Sequence, residues 1–133
     1  MRITVFSDTH NKHKELNLPG GDLLIHSGDI SSLGYKHEVQ QFCKWLNEQA
    51  TKYDTIAFIA GNHDFLFEKE PKAAKEIVDS YKNIDYLQDD FLLIGEEYED
   101  TVRIWGSPWQ PEFYNWAFNL PKGGPELEYV WGQ

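Results

Sequence analysis

Three short apolar runs each end in a burst of polar residues, and this repeated ending constrains the chain more than any other feature. Arg2-Ile3-Thr4-Val5-Phe6 leads into Ser7-Asp8-Thr9-His10, and Leu23-Leu24-Ile25-His26 into Ser27-Gly28-Asp29. The run from Thr55 to Ala60 leads into Gly61-Asn62-His63-Asp64. Short runs rich in Val, Ile, Leu and Phe and closed by Gly, Asn or Asp read as buried strands. The first, short and β-rich, is expected to be an inner strand. Side by side, the three strands would bring their polar ends to one edge of a sheet, where open α/β sheets collect ligands.

The segments between them support this layout. From Tyr35 to about Thr51, residues Val39, Phe42, Cys43, Leu46 and Ala50 fall on one helical face, with Cys43 on the core side. Pro71 stands where a first helical residue would, and Ala74, Ile77, Val78 and Tyr81 form a second stripe. Lys12 to Gly21 is polar and ends in Pro19-Gly20-Gly21, a loop or short helix closed by a turn. Short β-like runs follow at Tyr86-Leu87, Phe91 to Ile94 and Thr101 to Trp105, with the acidic stretch Glu96 to Asp100 among them. The expected class is α/β: a mainly parallel sheet covered by helices, then the start of a second, antiparallel or mixed sheet. Gly106 to Gln133 differs in kind, with seven aromatics among prolines and glycines. It reads equally as a functional flap or as a plug for one end of the core.

A chain of 133 residues is expected to form one domain with its own core. Its net charge of −10 lacks the basic footprint of a protein that tracks nucleic-acid polymers. Small phosphorylated substrates remain compatible, because a bound divalent cation inverts the local field. Apolar runs are far shorter than the roughly 20 residues a membrane helix needs. The amino terminus shows no secretion signal, and Cys43 has no partner for a disulfide. The expectation is a cytoplasmic protein.

Asp8 and His10, two apart at a strand end, can converge on one ion, and carboxylate plus imidazole suits Zn, Mn or Fe better than Ca. Asp29 has two oxygens with which to bridge two ions, and Gly28 lets the backbone pass close by. Asn62 adds a neutral amide oxygen beside His63. Each piece alone is more often a turn or a cap. Their succession at three strand ends is what points to a metal. His13 and His37, in polar contexts, and His26, a strand residue, are not read as ligands.

These motifs, in this order, resemble the first signatures of the calcineurin-like metallophosphoesterases. Ser7-Asp8-Thr9-His10, Ile25-His26-Ser27-Gly28-Asp29 and Trp105-Gly106-Ser107-Pro108-Trp109 resemble the branch of metallophosphoesterase-domain proteins linked to cyclic nucleotide phosphodiesterase activity. The resemblance spans nearly all of residues 1–133, as the N-terminal portion of such a domain, and implies an αββα sandwich of two facing sheets. It implies Asp8 and His10 on a first metal, Asp29 bridging, Asn62 on a second, His63 as general acid and Asp64 orienting its neighbours. Two cations about 3.5–4 Å apart would acidify a shared water, whose hydroxide attacks a small phosphate ester in line while His63 protonates the leaving oxygen.

Two departures qualify that expectation. Ile30-Ser31-Ser32-Leu33-Gly34 follows Asp29, so the arginine that clamps phosphate in the protein phosphatases of the superfamily is missing. That favours a phosphodiesterase-type branch. No histidine follows His63, so those that complete both metal shells in the family are absent. Three ligands then serve the first metal and two the second, which favours a mononuclear centre and impaired activity. The alternative is a non-catalytic metal- or ligand-binding remnant that works through an interface. A half-built sandwich leaves an apolar face or strand edge in water, and the expected remedy is a homo-oligomer, most simply a dimer.

Overall fold

The computed structural model describes residues 1–95 and 101–133. The acidic stretch Glu96 to Asp100 lies outside the described residues. Four parallel strands, β1 (Ile3–Phe6), β2 (Gly21–His26), β3 (Tyr53–Phe58) and β4 (Asp85–Tyr86), form one sheet in the order β1-β2-β3-β4. Register runs Phe6 to His26 to Phe58 to Tyr86, so the three polar strand ends emerge side by side. Sequential neighbours joined through helices produce this parallel, ordered arrangement.

Strand alternation sorts the two faces. Leu24, Ile56 and Phe58 join the core with Val39, Phe42, Cys43 and Leu46 of α1 (Lys36–Glu48) and Ala74, Ile77 and Val78 of α3 (Pro71–Asp79). The first helix is the expected apolar stripe, and a short 3-10 turn at Gln49–Thr51 ends it. Its start is tied to the loop after β2 through the buried Glu38. That carboxylate accepts from the N–H groups of Tyr35 (2.7 Å) and Ser32 (3.2 Å) and from the Asn11 amide (2.6 Å). As expected, Pro71 opens α3.

The opposite face carries the antiparallel hairpin of β5 (Asp90–Ile94) and β6 (Val102–Gly106), the expected opening of a second sheet. Leu87 and Ile59 close on Gly106 so tightly that an added Cβ would overlap them. Between hairpin and sheet lies a cleft of about 290 Å³ lined by Ile25, Ala57, Ile59, Leu87, Ile104 and Trp131, among others. The final segment holds a small parallel pair, β7 (Gln110–Pro111) with β8 (Asn119–Leu120), and α4 (Pro125–Trp131).

One expectation needs correction, and one element had no expectation at all. Strand β1 is an edge strand rather than an inner one: it pairs with β2, and Ile3 and Val5 are exposed. Its β-rich composition reports the pairing with β2 but carries no information about a second neighbour. The residues after Asp64 form α2 (Phe65–Lys69), a helix too short to leave a periodic pattern. Among the described residues no helix is long and apolar enough to cross a membrane.

Candidate metal centre

The three strand ends are laced together by backbone bonds that continue the sheet into the loops. Asp8 N–H donates to Gly28 C=O at 3.0 Å, His10 N–H to Asp29 C=O at 3.1 Å and Asn11 N–H to Ile30 C=O at 3.1 Å. This lacing bends the chain hard. Asp8, His10 and Asp29 all sit at positive φ (55°, 39° and 58°), a left-handed conformation that non-glycine residues seldom adopt. Such backbone costs on the order of 1–3 kcal/mol per residue and persists where its surroundings over-determine it. Three of the four ligands expected from the sequence are held this way.

The result is convergence. His10 Nε2 lies 3.9 Å from Asp8 Oδ1 and 3.9 Å from Asp29 Oδ2. His10 Nδ1 sits 2.9 Å from Ser31 C=O; a carbonyl only accepts, so Nδ1 carries the proton and Nε2 offers its lone pair to the shared space. His63 repeats the device one residue along, with Nδ1 at 2.8 Å from Ser32 C=O and Nε2 free. His10, Asp29 and His63 each place a ligand atom within 4.8 Å of the others. Two imidazoles locked in one tautomer by consecutive carbonyls, facing carboxylates, suit a divalent transition metal in donor type and orientation.

Asn62 completes the group. With its amide nitrogen toward Asp29 it donates to Oδ1 and Oδ2 at 3.3 and 3.2 Å. With the amide oxygen turned there, Asn62 and Asp29 present three oxygens to one cation. Asp29 also accepts the His63 N–H at 2.9 Å, which fixes the loop after β3 against the loop after β2. Gly61 has to be glycine here, since a Cβ would overlap Asp29.

Asp64 is fully buried and sits beneath the site. Its carboxylate accepts from Gly61 N–H (2.7 Å), Ile30 N–H (3.2 Å), Ser31 N–H (3.0 Å) and Ser31 Oγ–H (2.5 Å). Burial pushes this carboxyl above the usual range, against the pull of those four donors. It works on the backbone that flanks Asp29 and Asn62, and its hydrogen bonds go there rather than to the His63 ring.

Several contributors escaped the sequence. The Ser31 and Ser32 carbonyls act through the backbone and leave no side-chain signature. Trp116 lies against His63, ring centroids 4.0 Å apart and planes tilted by 31°, and Ala117 N–H donates to Asn62 C=O at 2.9 Å. Neighbouring Phe118 is fully buried, and Glu68 of α2 accepts its N–H. One stretch of the last segment therefore plugs the core and covers the site, combining the two readings left open for it. Phe65, Phe113, Tyr114, Asn115 and Trp116 line an open cleft of about 640 Å³ beside His63.

Three other groups fall outside the centre. His26 is a fully buried strand residue, as expected, and burial lowers its pKa to about 3. His13, expected in a polar loop, is buried against Phe42 and Trp45, with its pKa lowered by burial to about 4. Cys43 lies in the core with its thiol pushed up to about 12 by burial, an unreactive state.

Comparison with known proteins places the chain in a family. Residues 1–117 match the family model described as calcineurin-like phosphoesterase. The chain is 38% identical over 143 aligned positions to the human metallophosphoesterase domain-containing protein 1, covering 96% of this chain and 43% of the relative. The mouse protein of that name aligns with the same figures. A UPF0046 protein of Caenorhabditis elegans is 33% identical, with 96% of this chain and 37% of the relative covered. The chain belongs to the calcineurin-like phosphoesterases. It spans less than half the length of these curated relatives.

Proposed function

We propose that this chain is a metal-dependent phosphoesterase of phosphodiesterase type that hydrolyses small phosphate esters. The observation that carries the reading is the matched pair of imidazoles: His10 and His63, oriented by Ser31 and Ser32, aim free Nε2 atoms at the space beside Asp29. In this reading Asp8, His10 and Asp29 hold a first divalent ion, and Asp29 and Asn62 offer a second position. Mn²⁺, Fe²⁺/³⁺ and Zn²⁺ all suit these donors. Bound there, a cation would polarise the phosphoryl oxygens and acidify a water.

The chain's own groups supply the rest. His63, once protonated at Nε2, donates to the departing oxygen, a step that matters most for a poorly leaving hydroxyl. The hydrogen bond from Nδ1 to Ser32 and the face of Trp116 keep its ring from rotating away. Asp64 holds the loops that carry Asp29 and Asn62. The aromatic cleft beside His63 would take a flat, apolar part of the ester. The missing arginine after Asp29 supports a diester over a phosphoprotein substrate.

A cytoplasmic homo-oligomer is part of the proposal. The lone, buried Cys43 supports a reducing setting, and the exposed Ile3, Val5, Phe91 and Leu93 support a second copy as their cover. The test is hydrolysis of bis(p-nitrophenyl) phosphate with added Mn²⁺, alongside Mn²⁺ binding, for the unaltered chain, Asp29→Asn and His63→Gln. Turnover abolished by both changes, with binding kept in His63→Gln, is the expected result. Mn²⁺ bound without turnover favours the non-catalytic, ligand-binding alternative. No binding and no turnover would refute both.

A further inference from the structure

Beside Asp64, which joins the loops after β2 and β3, a second buried side chain joins the loops that carry Asp8, His10 and Asp29. His26 lies at the end of β2, fully buried, and both of its ring nitrogens are engaged. Gly28 N–H donates to Nδ1 at 3.1 Å, so Nδ1 bears the lone pair. The neutral ring then carries its proton on Nε2, which lies 3.0 Å from Thr9 Oγ1 and donates to it. Thr9 stands between Asp8 and His10, and Gly28 directly precedes Asp29. A single imidazole thus joins the residue flanked by two ligands to the residue before the third.

We propose that His26 is a positioning residue for the metal centre, pinning the Asp8-Thr9-His10 loop to the Gly28-Asp29 loop and thereby setting the spacing of the three carboxylate and imidazole donors. The inference rests on Asp8, His10 and Asp29 being ligands, and it adds a residue that touches neither ion nor substrate.

Two further observations support it. The ring is wedged edge-on against Phe6 (centroids 4.6 Å, 80°) and Phe42 (5.0 Å, 74°), which fixes its plane and ties it to α1. The loops it joins contain the left-handed Asp8, His10 and Asp29, a backbone that has to be held from outside. Thr9 is turned inward and buried, whereas Asp8 is exposed and His10 partly so, and this alternation is what the His26–Thr9 bond enforces. Partners that orient metal ligands commonly carry 10–100-fold in metal affinity.

The test is Mn²⁺ affinity by titration calorimetry for Thr9→Val, Thr9→Ser, His26→Phe and the Thr9→Val/His26→Phe double variant. Each is measured at a temperature where its own melting curve in EDTA shows it folded. The expected result is about tenfold weaker binding in Thr9→Val and near-unaltered binding in Thr9→Ser, which keeps the hydroxyl. His26→Phe should lose 10–100-fold, and the double variant no more than His26→Phe alone. Should His26→Phe fail to fold, the two Thr9 variants decide. Thr9→Val binding within twofold of the unaltered chain, or Thr9→Ser as weak as Thr9→Val, overturns the role of His26. An unaltered chain that binds no Mn²⁺ overturns this inference and the proposed metal site together.

Discussion

The loops at the ends of β1, β2 and β3 and the aromatic segment after Gly106 meet at the same site but are held there by different physics. The loops are laced by hydrogen bonds: Asp8 to Gly28, His10 to Asp29, Asp64 to four donors around it. Beside the site the segment leans mainly on rings: Phe118 in the core against Trp109 (5.2 Å) and Trp116 on His63 (4.0 Å). Its hydrogen bonds are fewer there, from Ala117 N–H to the Asn62 carbonyl and from Phe118 N–H to Glu68, with Trp109 Nε1–H donating to Asp89 further off. Directional bonds fix atom positions to tenths of an ångström, as ligands require. Ring contacts tolerate sliding, as a wall beside a substrate can. The site is a rigid floor with an adaptable side.

That comparison can be broken from either direction. The largest effect is expected for Asp64→Ala, which orphans the buried N–H groups of Ile30 and Ser31 and the half-buried one of Gly61. At about 1–3 kcal/mol for each unsatisfied group, the loss should reach several kcal/mol in urea unfolding, with Mn²⁺ binding lost as well. Phe118→Ala should cost roughly 3–5 kcal/mol through the cavity it leaves. Mn²⁺ affinity of the protein that remains folded should stay near that of the unaltered chain. If Phe118→Ala instead removes metal binding at full folding, the floor is not independent of the side.

Acid should act mainly on the core beneath the loops. The pKa of His13 falls from 6.5 in the unfolded chain to about 4 in the folded one. Between these values the unfolded state binds the extra proton, so stability declines as pH drops from about 6.5 toward 4 and is untouched above that window. The full effect is at most roughly 3 kcal/mol. His26, lowered further to about 3, acts in the same direction over this window. His13→Phe should therefore reduce, without abolishing, the slope of urea midpoints measured across pH 4 to 7, and a slope unchanged in that variant would take His13 out of the acid response. The smallest structural effect belongs to Trp116→Ala. Stability should change by less than about 1 kcal/mol, as for a partly exposed side chain, while diester turnover drops about tenfold.

The same contrast explains what the sequence disclosed. The strands and the polar endings of β1, β2 and β3 were legible because apolar runs closed by Gly, Asn and Asp are local patterns. So were α1 and α3, whose stripes span several turns. The edge position of β1 was not legible, since pairing is decided by residues distant in the chain. Neither was α2, at five residues shorter than a periodic window can register. His13 looked like a loop residue because its burial comes from Phe42 and Trp45, some 30 positions away. Within the site, Asp8, His10, Asp29, Asn62 and His63 were named by residue type. Thr9, His26, the Ser31 and Ser32 carbonyls and Trp116 were not, because their contributions arise from backbone groups or from contacts that only the folded chain creates.

The central claim is that Asp8, His10 and Asp29 converge on one cation, with His10 as its nitrogen donor and His63 beside it as an acid. Pulsed electron paramagnetic resonance of the Mn²⁺-loaded chain tests this directly, because a coordinated imidazole imprints a nitrogen modulation on the manganese signal. The modulation should be present in the unaltered protein, persist in His63→Gln and disappear in His10→Gln. A modulation absent throughout, or one that survives His10→Gln and vanishes in His63→Gln, would contradict the account.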